Sequence, residues 1–476
     1  MRMNTTPLFC VLVALFAVTV WGQPAHNLEG MWLGEFKVPS GPSMEIAVEV
    51  ERKPDDKLAS NLISVAQGCM SIAFHKTTVE KAQVCWEMKS PPIAISGRYS
   101  DDSRTIIEGQ FQQGEYVFPM QLRRVEAIPG YRRPQTPVRP YPYEEEEVAY
   151  ENTKAGITIS GTLTLPRGKG PFPAALLISG SGPQDRDQFV LLHRPFKVLA
   201  DHLTRRGIAV LRVDDRGTGS STGEFGGATT RDFADDVLAG VQYLKSRQDI
   251  RSDAIGLIGH SEGGMIAPMV AAECCDVGFV VLMAAPGVPI TQLMYSQHWR
   301  GTLAEGQSEA KAKMKSDWYQ RLYEVVQQEP DNETAIEKMT GMYSALSSQE
   351  KALLGWDEGK AGSEIHDLVS PWKRYFANFE PQPYLRAVKC PLLAINGEKD
   401  CQVISTENLR GIEKQLREGQ NPDFTTLELP GLNHLFQTAD TGAESEYRHI
   451  EETIAPGALE TISDWIVERT PVSPKQ

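Results

Sequence analysis

The chain has 476 residues, of which 41% are hydrophobic and 23% charged, a balance typical of a soluble globular protein with more than one domain. Lys and Arg total 48 against 62 Asp and Glu, which gives a formal net charge of -14 at pH 7. This charge repels a long phosphate backbone, so nucleic acid is excluded as an expected partner.

The first 23 residues have the pattern of an export signal. Arg2 supplies a positive start, an apolar stretch follows at 8–20, and small and polar residues lie at 22–25. The apolar stretch is short for a bilayer span, and a retained anchor or a buried core helix is the alternative interpretation. No later segment is an uninterrupted apolar stretch of spanning length. We therefore expect a secreted or periplasmic protein with a cleaved signal peptide (1–23) and no membrane span.

The cysteine content allows a disulfide but does not indicate a metal site. Cys10 lies within the predicted signal, which leaves six of the seven cysteines in the mature chain. Cys69 and Cys85 bracket a predicted hairpin and are the pair best placed to bond in an oxidising compartment, with unpaired burial as the alternative. No spacing of Cys and His indicates structural zinc, and we expect no metal.

The amino-terminal part alternates apolar and polar side chains in short runs. This alternation continues through 27–125 and predicts a small antiparallel β domain. Five prolines then follow between Ala127 and Tyr143, where they remove backbone donors and favour an extended connector. We place a Pro-rich linker at 126–146.

Short apolar runs alternate with helix-periodic stretches from 147 to 470. The runs lie at 174–179, 209–214, 255–259, 279–284 and 392–396. They are typical of strands buried on both faces, and their alternation with helices predicts an α/β fold with a mostly parallel central sheet. Residues 291–380 form a charge-rich, helix-prone insertion, which we interpret as a lid, with surface decoration as the alternative.

Ser261 is the predicted nucleophile. It lies in the run GHSEG at 259–263, after one predicted strand and before a helical stretch. A bare Gly-x-Ser-x-Gly arises by chance, but strand, turn and helix in this order form a nucleophile elbow, in which the serine is exposed by a sharp turn. The two glycines leave room for that turn.

An orienting acid and a histidine base are expected after the nucleophile in the chain. Asp400 directly follows a predicted strand and is the predicted acid, with Glu398 as the alternative. His434 follows a strand-like run and precedes the last predicted helix, so it is the predicted base. His449 lies in a polar run and is the alternative base.

Acyl transfer places negative charge on a carbonyl oxygen, which needs preorganised donors. The predicted oxyanion-hole donors are the backbone N–H of Glu262 and that of Ser181 in the Gly-rich loop 179–183. Gly182 is the alternative donor to Ser181. The glycines of this loop could also serve only to form a tight turn. The charged runs at 185–187 and 214–216 are interpreted as salt-bridging turns.

Six segments of the second domain resemble α/β hydrolases related to the prolyl-oligopeptidase and serine aminopeptidase clan, particularly bacterial secreted carboxylesterases with a small amino-terminal β domain. They are SGSGPQDRD (179–187), DDRGTGSS (214–221), GHSEGG (259–264), SPWKRYF (370–376), NGEKDCQV (396–403) and GLNH (431–434). The resemblance implies the α/β-hydrolase fold, a triad of Ser261, Asp400 and His434, and no metal or organic cofactor. Cys401, beside the acid, departs from the family pattern.

These features predict a serine hydrolase that cleaves short-chain carboxylic esters of small molecules through an acyl-enzyme intermediate. A serine exopeptidase of aminopeptidase or dipeptidyl-peptidase type is the nearest alternative, because the same triad cleaves amides. The preceding domain, at roughly a hundred residues, is too small for the propeller that selects peptide ends. An acyltransferase, or a glycan-binding protein with a silent hydrolase portion, are the remaining alternatives.

Overall fold

The structure is a computed structural model that describes residues 28–38, 41–53, 57–65, 70–89, 91–100 and 104–471. The predicted signal peptide at 1–23 lies outside the described residues, as does Cys69 of the predicted disulfide. Both therefore stay predictions. Within the described ranges, no helix has the length and apolar character needed to cross a membrane.

The described amino-terminal residues form one nine-stranded antiparallel sheet. Its strands are β1 (Gly30–Lys37), β2 (Ser43–Arg52), β3 (Leu58–Ser64), β4 (Met70–Ala73), β5 (Lys76–Glu80), β6 (Gln83–Met88), β7 (Ile93–Tyr99), β8 (Thr105–Gln113) and β9 (Tyr116–Val125), in the spatial order β4-β3-β2-β1-β9-β8-β7-β6-β5. The ends of the sheet curl towards each other, since Ser60 Oγ of β3 lies 2.8 Å from Thr77 Oγ1 of β5. Alternate side chains fill the enclosed core, among them Trp32 and Trp86.

Residues 126–143 connect this sheet to the next without a helix or strand. The connector is attached to the carboxyl-terminal region through Gln135. Its amide donates to the carbonyl oxygen of Ile454 at 2.7 Å and accepts the Ile454 N–H at 3.0 Å. The connector is therefore held against the carboxyl-terminal region at Gln135.

The second sheet has eight strands within the described residues. They are β10 (Glu144–Asn152), β11 (Ile157–Leu165), β12 (Phe172–Ile178), β13 (Ala209–Val213), β14 (Ile250–His260), β15 (Phe279–Met283), β16 (Leu392–Gly397) and β17 (Phe424–Leu429), in the order β10-β11-β13-β12-β14-β15-β16-β17. β10 and β11 are antiparallel, and the neighbours from β13 to β17 are parallel. The predicted α/β class with a mostly parallel sheet is confirmed, and its first strand begins at Glu144, ahead of the predicted start at 147.

Helices cover both faces of this sheet. They are α1 (Pro195–Arg205), α2 (Thr230–Ser246), α3 (Gly263–Glu273), α4 (Ile290–Ala304), α5 (Glu309–Gln328), α6 (Asn332–Ser344), α7 (Ser348–Leu354), α8 (Glu358–Leu368), α9 (Pro371–Ala377), α10 (Gln382–Ala387), α11 (Ser405–Glu418) and α12 (Pro456–Arg469). Leu176 and Leu177 are neighbours in β12 but belong to opposite apolar layers. Helices α2, α3 and α11 contribute to the first layer, and α1 and α12 to the second, because successive strand residues point to opposite faces.

Helices α4 to α10 form an insertion between β15 and β16. Most of them share an apolar core of their own, which includes Trp318, Tyr343 and Trp356. The helices extend from 290 to 387, slightly beyond the predicted bounds of 291–380. Their shared core makes the insertion one packed unit above the carboxyl ends of the parallel strands.

Candidate active site

Ser261 lies at the sharp turn between β14 and α3. Its φ is +55°, in the left-handed region that is unfavourable for a residue with a side chain. The turn is held by a hydrogen bond of 2.9 Å from the Ser261 N–H to the carbonyl oxygen of Met283 in β15. This strained conformation projects the serine from the end of its strand, as in a nucleophile elbow.

The two glycines that flank the turn are required by close backbone approaches. A Cβ at Gly259 would lie 2.1 Å from the carbonyl oxygen of Gly263. A Cβ at Gly263 would lie 2.2 Å from the carbonyl oxygen of Ile178 in β12. Both distances are far inside van der Waals contact, so no side chain fits at either position.

His434 and Asp400 form a buried hydrogen-bonded pair. Asp400 follows β16, and its Oδ1 accepts the N–H groups of Gln402 and Val403 at 2.8 and 2.9 Å. Its Oδ2 lies 2.8 Å from His434 Nδ1. Because an ionised carboxylate only accepts, Nδ1 donates, and in the neutral ring Nε2 is then the unprotonated nitrogen. The pair leaves the histidine ready to accept a proton at Nε2.

The alternative acid and base lie elsewhere. The Glu398 side chain is exposed and accepts the N–H of Gly431 at 2.8 Å. His449 is exposed on the carboxyl-terminal loop and does not line the cavity that contains Ser261. Geometry thus favours Asp400 and His434 over both alternatives.

Ser261 and His434 open onto one cavity of about 490 Å³, here called the central cavity. Ser181 and Glu262 also line it. The insertion contributes further lining residues, among which are Leu293, Met294, Tyr323, Trp372 and Phe376. The insertion therefore covers Ser261 with mainly apolar side chains.

The predicted oxyanion donors lie at the same cavity. Ser181 lines it, whereas Gly182 lines a smaller neighbouring cavity. Within the described residues, neither the N–H of Ser181 nor that of Glu262 donates to a backbone carbonyl. Ser181 is thus better placed than Gly182 to serve with Glu262 as a donor.

The Glu262 side chain has a structural role that sequence reasoning did not identify. Its Oε1 accepts the Thr230 hydroxyl at 2.6 Å and the Trp372 indole N–H at 2.8 Å. Burial raises the pKa of this carboxyl, while the hydrogen bonds oppose that shift. Glu262 therefore ties the elbow to α2 and to α9 of the insertion.

His260, the residue before Ser261, ties the elbow to the loop that holds His434. Its Nε2 lies 2.9 Å from the carbonyl oxygen of His434, and its Nδ1 lies 2.7 Å from the Gln188 amide nitrogen. Since a carbonyl only accepts, Nε2 carries the proton and Nδ1 accepts from Gln188. Burial lowers the pKa of His260 to about 3, so the ring is neutral. A histidine within an apolar strand was the sequence signal for this role.

Four residues of the charged runs after β12 and β13 are ion-paired, as interpreted from the sequence: Arg186, Asp187, Asp214 and Arg216. Arg186 and Asp214 form a buried pair at 2.7 Å. Asp215 has the further role of holding the Ser181 loop, since it accepts the Ser179 hydroxyl and the Gln184 N–H, each at 2.9 Å. Burial raises the pKa of Asp215 to about 8.

A family model described as "Serine aminopeptidase, S33" matches residues 194–348, which contain the elbow and part of the insertion. The sheet order and the strand–turn–helix elbow of this chain are those of the α/β-hydrolase fold. Esterase EstD from Thermotoga maritima is 32% identical to this chain over 160 residues, which are 34% of this chain and 37% of EstD. The putative hydrolase YtaP from Bacillus subtilis is 32% identical over 123 residues, 22% of this chain and 40% of YtaP. The chain thus spans about two fifths of the length of these curated relatives.

Solved structures with a similar arrangement share little sequence with this chain. The α/β hydrolase GrgF from Penicillium sp. sh18 is 17% identical, with a TM-score of 0.44, over 69% of this chain and 100% of GrgF. The Pyrococcus furiosus esterase Pf2001 is 16% identical, with a TM-score of 0.42, over 71% of this chain and 98% of the esterase.

Proposed function

We propose that this α/β hydrolase is a serine esterase that cleaves short-chain carboxylic esters through an acyl-enzyme intermediate. One observation carries the proposal. His434 Nδ1 is hydrogen-bonded to the buried Asp400 at 2.8 Å, and the same histidine lines the central cavity with Ser261. A nucleophile, a base and an orienting acid in this arrangement activate a serine hydroxyl at neutral pH.

Acylation begins when His434 Nε2 accepts the proton of the Ser261 hydroxyl and Oγ attacks the ester carbonyl carbon. The negative charge on the carbonyl oxygen is stabilised by the N–H groups of Glu262 and Ser181, and each such donor contributes about 10²- to 10³-fold to kcat. His434 then gives its proton to the departing alkoxide. The products of this step are a free alcohol and an ester of Ser261.

Deacylation repeats these steps with water as the nucleophile. His434 removes a proton from a water molecule, and the resulting oxygen attacks the acyl carbon of the Ser261 ester. The same two N–H groups stabilise the second oxyanion. Proton return from His434 to Oγ releases the carboxylic acid and restores the enzyme.

Two features favour esters of small acids over peptides. EstD, a relative over part of the chain, is named an esterase. The insertion presents Leu293, Met294 and Phe376 to the cavity, which suits a short apolar acyl chain.

The serine exopeptidase remains the second candidate because the matching family model is described as a serine aminopeptidase. Assays with p-nitrophenyl acetate and butyrate, run beside aminoacyl and dipeptidyl p-nitroanilides, separate the two activities. We expect ester turnover to exceed amide turnover, and the opposite order would contradict the esterase proposal. The Ser261→Ala variant is the control for background hydrolysis.

The pattern of residues 1–23 supports an extracytoplasmic site of action. Sequencing of the amino terminus of the exported protein tests this part of the proposal. A mature chain that begins near residue 24 is expected, and retention of the first 23 residues would contradict it.

A further inference from the structure

The loop between the oxyanion turn and α1, residues 184–193, is here called the cavity loop. Gln184, Gln188, Val190 and Leu191 of this loop line the central cavity. The Gln188 amide also donates to Nδ1 of His260, the residue before the nucleophile. The shape of the cavity loop therefore affects both the cavity wall and the elbow.

The backbone of the cavity loop is strained at three positions. Gln188, Leu191 and Leu192 have φ values of +53°, +50° and +68°. Residues with a side chain adopt this region only when surrounding contacts hold them there. The contacts that hold the loop are consequently part of what shapes the site.

One set of contacts comes from the outer face of the amino-terminal sheet. Leu33 of β1, Ala47 of β2 and Ile63 of β3 are buried in one apolar cluster with Leu192 of the cavity loop. Their neighbours Trp32, Val48 and Leu62 belong to the separate core of the amino-terminal sheet. Strands β1 to β3 thus bury both faces, one in their own core and the other against the cavity loop and Ile128 of the connector.

A second set of contacts is ionic. Arg194, at the start of α1, has a side chain only 4% exposed and pairs with Glu49 of β2. The same guanidinium lies 3.3 Å from Asp187 of the cavity loop, which also pairs with Arg212 of β13. A buried charge is costly without its partners, so Glu49 stabilises the position of Arg194 and through it the loop.

A neighbouring ion pair also joins α1 to the amino-terminal sheet. Lys197 Nζ of α1 lies 3.2 Å from Glu51 Oε1 of β2. Burial acts to raise the pKa of Glu51, whereas Lys197 and Arg194 together lower it to about 2. The carboxylate is therefore ionised throughout the neutral range and attracts the start of α1.

We infer that the amino-terminal sheet is a positioning element of the active site, in which Glu49 and Ile63 hold the cavity loop in the shape that ester hydrolysis needs. The inference rests on the proposed esterase function. The proposed role of the sheet is to affect turnover at the active site, and not to bind a separate ligand. Glu49 and Ile63 act through the loop and touch no reacting atom.

The ionic contact is tested with Glu49→Gln, and Glu45→Gln is its matched control. Glu45 lies on the same strand with an exposed side chain, so it receives the same chemical change away from the loop. We expect Glu49→Gln to lower kcat about tenfold, and the control to stay within about twofold of the parent.

The apolar contact is tested with Ile63→Ala, and Leu62→Ala is its matched control. The two residues are adjacent in β3 but face the cavity loop and the domain core respectively. Both truncations destabilise the sheet by making a cavity. Below the melting transition, only Ile63→Ala is expected to lower kcat.

Hydrogen exchange followed by mass spectrometry measures the loop without any substrate. Faster exchange of the cavity loop in Glu49→Gln, and in Ile63→Ala beyond that in Leu62→Ala, supports the inference. This support holds even if no ester is turned over, an outcome that would contradict only the proposed function. Unchanged exchange in the loop overturns the inference. So does a fall in kcat that merely follows a uniform rise in exchange over the whole chain, since that is general destabilisation.

Discussion

Replacement of Asp400 by Asn tests the geometry of the acid in detail, because the structure dictates how the amide must be oriented. Asp400 Oδ1 accepts two backbone N–H groups, from Gln402 and Val403. In Asp400→Asn the amide oxygen must occupy this position to keep both bonds. The NH₂ group is then directed at His434 Nδ1, where the carboxylate oxygen lies at 2.8 Å in the parent protein.

The Asp400→Asn substitution therefore changes the tautomer of the His434 ring. Facing an NH₂ donor, His434 Nδ1 must act as acceptor, so the proton moves to Nε2. A ring protonated at Nε2 cannot remove the Ser261 proton, and the same exchange in a serine protease triad lowers kcat about 10⁴-fold. We expect a loss of this order with little change in Tm, because Asn has the same shape and keeps the two backbone hydrogen bonds.

Steady-state release of p-nitrophenol from p-nitrophenyl butyrate measures this loss, and thermal unfolding measures the fold. Glu398→Gln is the control, because Glu398 is exposed on the same loop and Gln retains an acceptor for the Gly431 N–H. It should keep most of the activity. A kcat of Asp400→Asn within about tenfold of the parent, or an equal loss in Glu398→Gln, would contradict this role of Asp400.

Three further outcomes are expected. Gly263→Ala would place a Cβ 2.2 Å from the carbonyl oxygen of Ile178, so thermal melting should show a large fall in Tm or no folded protein. His260→Ala removes the donor to the His434 carbonyl and should lower kcat about tenfold at nearly unchanged KM, as steady-state kinetics would report. The pKa of Glu51 is lowered from 4.5 to about 2, so its contribution to stability is complete above about 4.5 and is lost as the pH falls towards 2. Urea unfolding across that pH interval should show a shallower fall for Glu51→Gln, and equal slopes would contradict the assignment.

The elements that position Ser261 could be predicted from the sequence. Strands β12, β14 and β15 are short apolar runs because both of their faces are covered by helices, and this burial is visible in composition alone. The spacing of Gly259 and Gly263 around Ser261 reflects two close backbone approaches, which leave a local and recognisable pattern. The positions of Asp400 and His434 followed from chain order and from the strands before them.

The supporting contacts could not be predicted, because they join residues that are distant in the chain. The Glu262 carboxylate bonds to Thr230 and to Trp372, which lie 32 and 110 positions away. His260 reaches the carbonyl of His434, 174 positions away. Nothing in the local periodicity around these residues specifies such partners.

The second apolar face of β1 to β3 was missed for a related reason. Trp32 and Leu33 are consecutive apolar residues, as are Ala47 and Val48 in the next strand. Such pairs interrupt the alternation of apolar and polar residues expected of a sheet with one solvent-exposed face. They indicate contact on both sides, but only the structure identifies the cavity loop as the second partner.

Ser261 is proposed to be an activated nucleophile, and mass mapping of the site labelled by a fluorophosphonate probe tests this role. The probe bonds covalently only to a serine whose proton has been removed by a positioned base. One label per chain is expected, on the peptide that contains Ser261, and none in Ser261→Ala. Labelling that persists in this variant, or a parent protein that remains unlabelled while folded, would contradict the assignment.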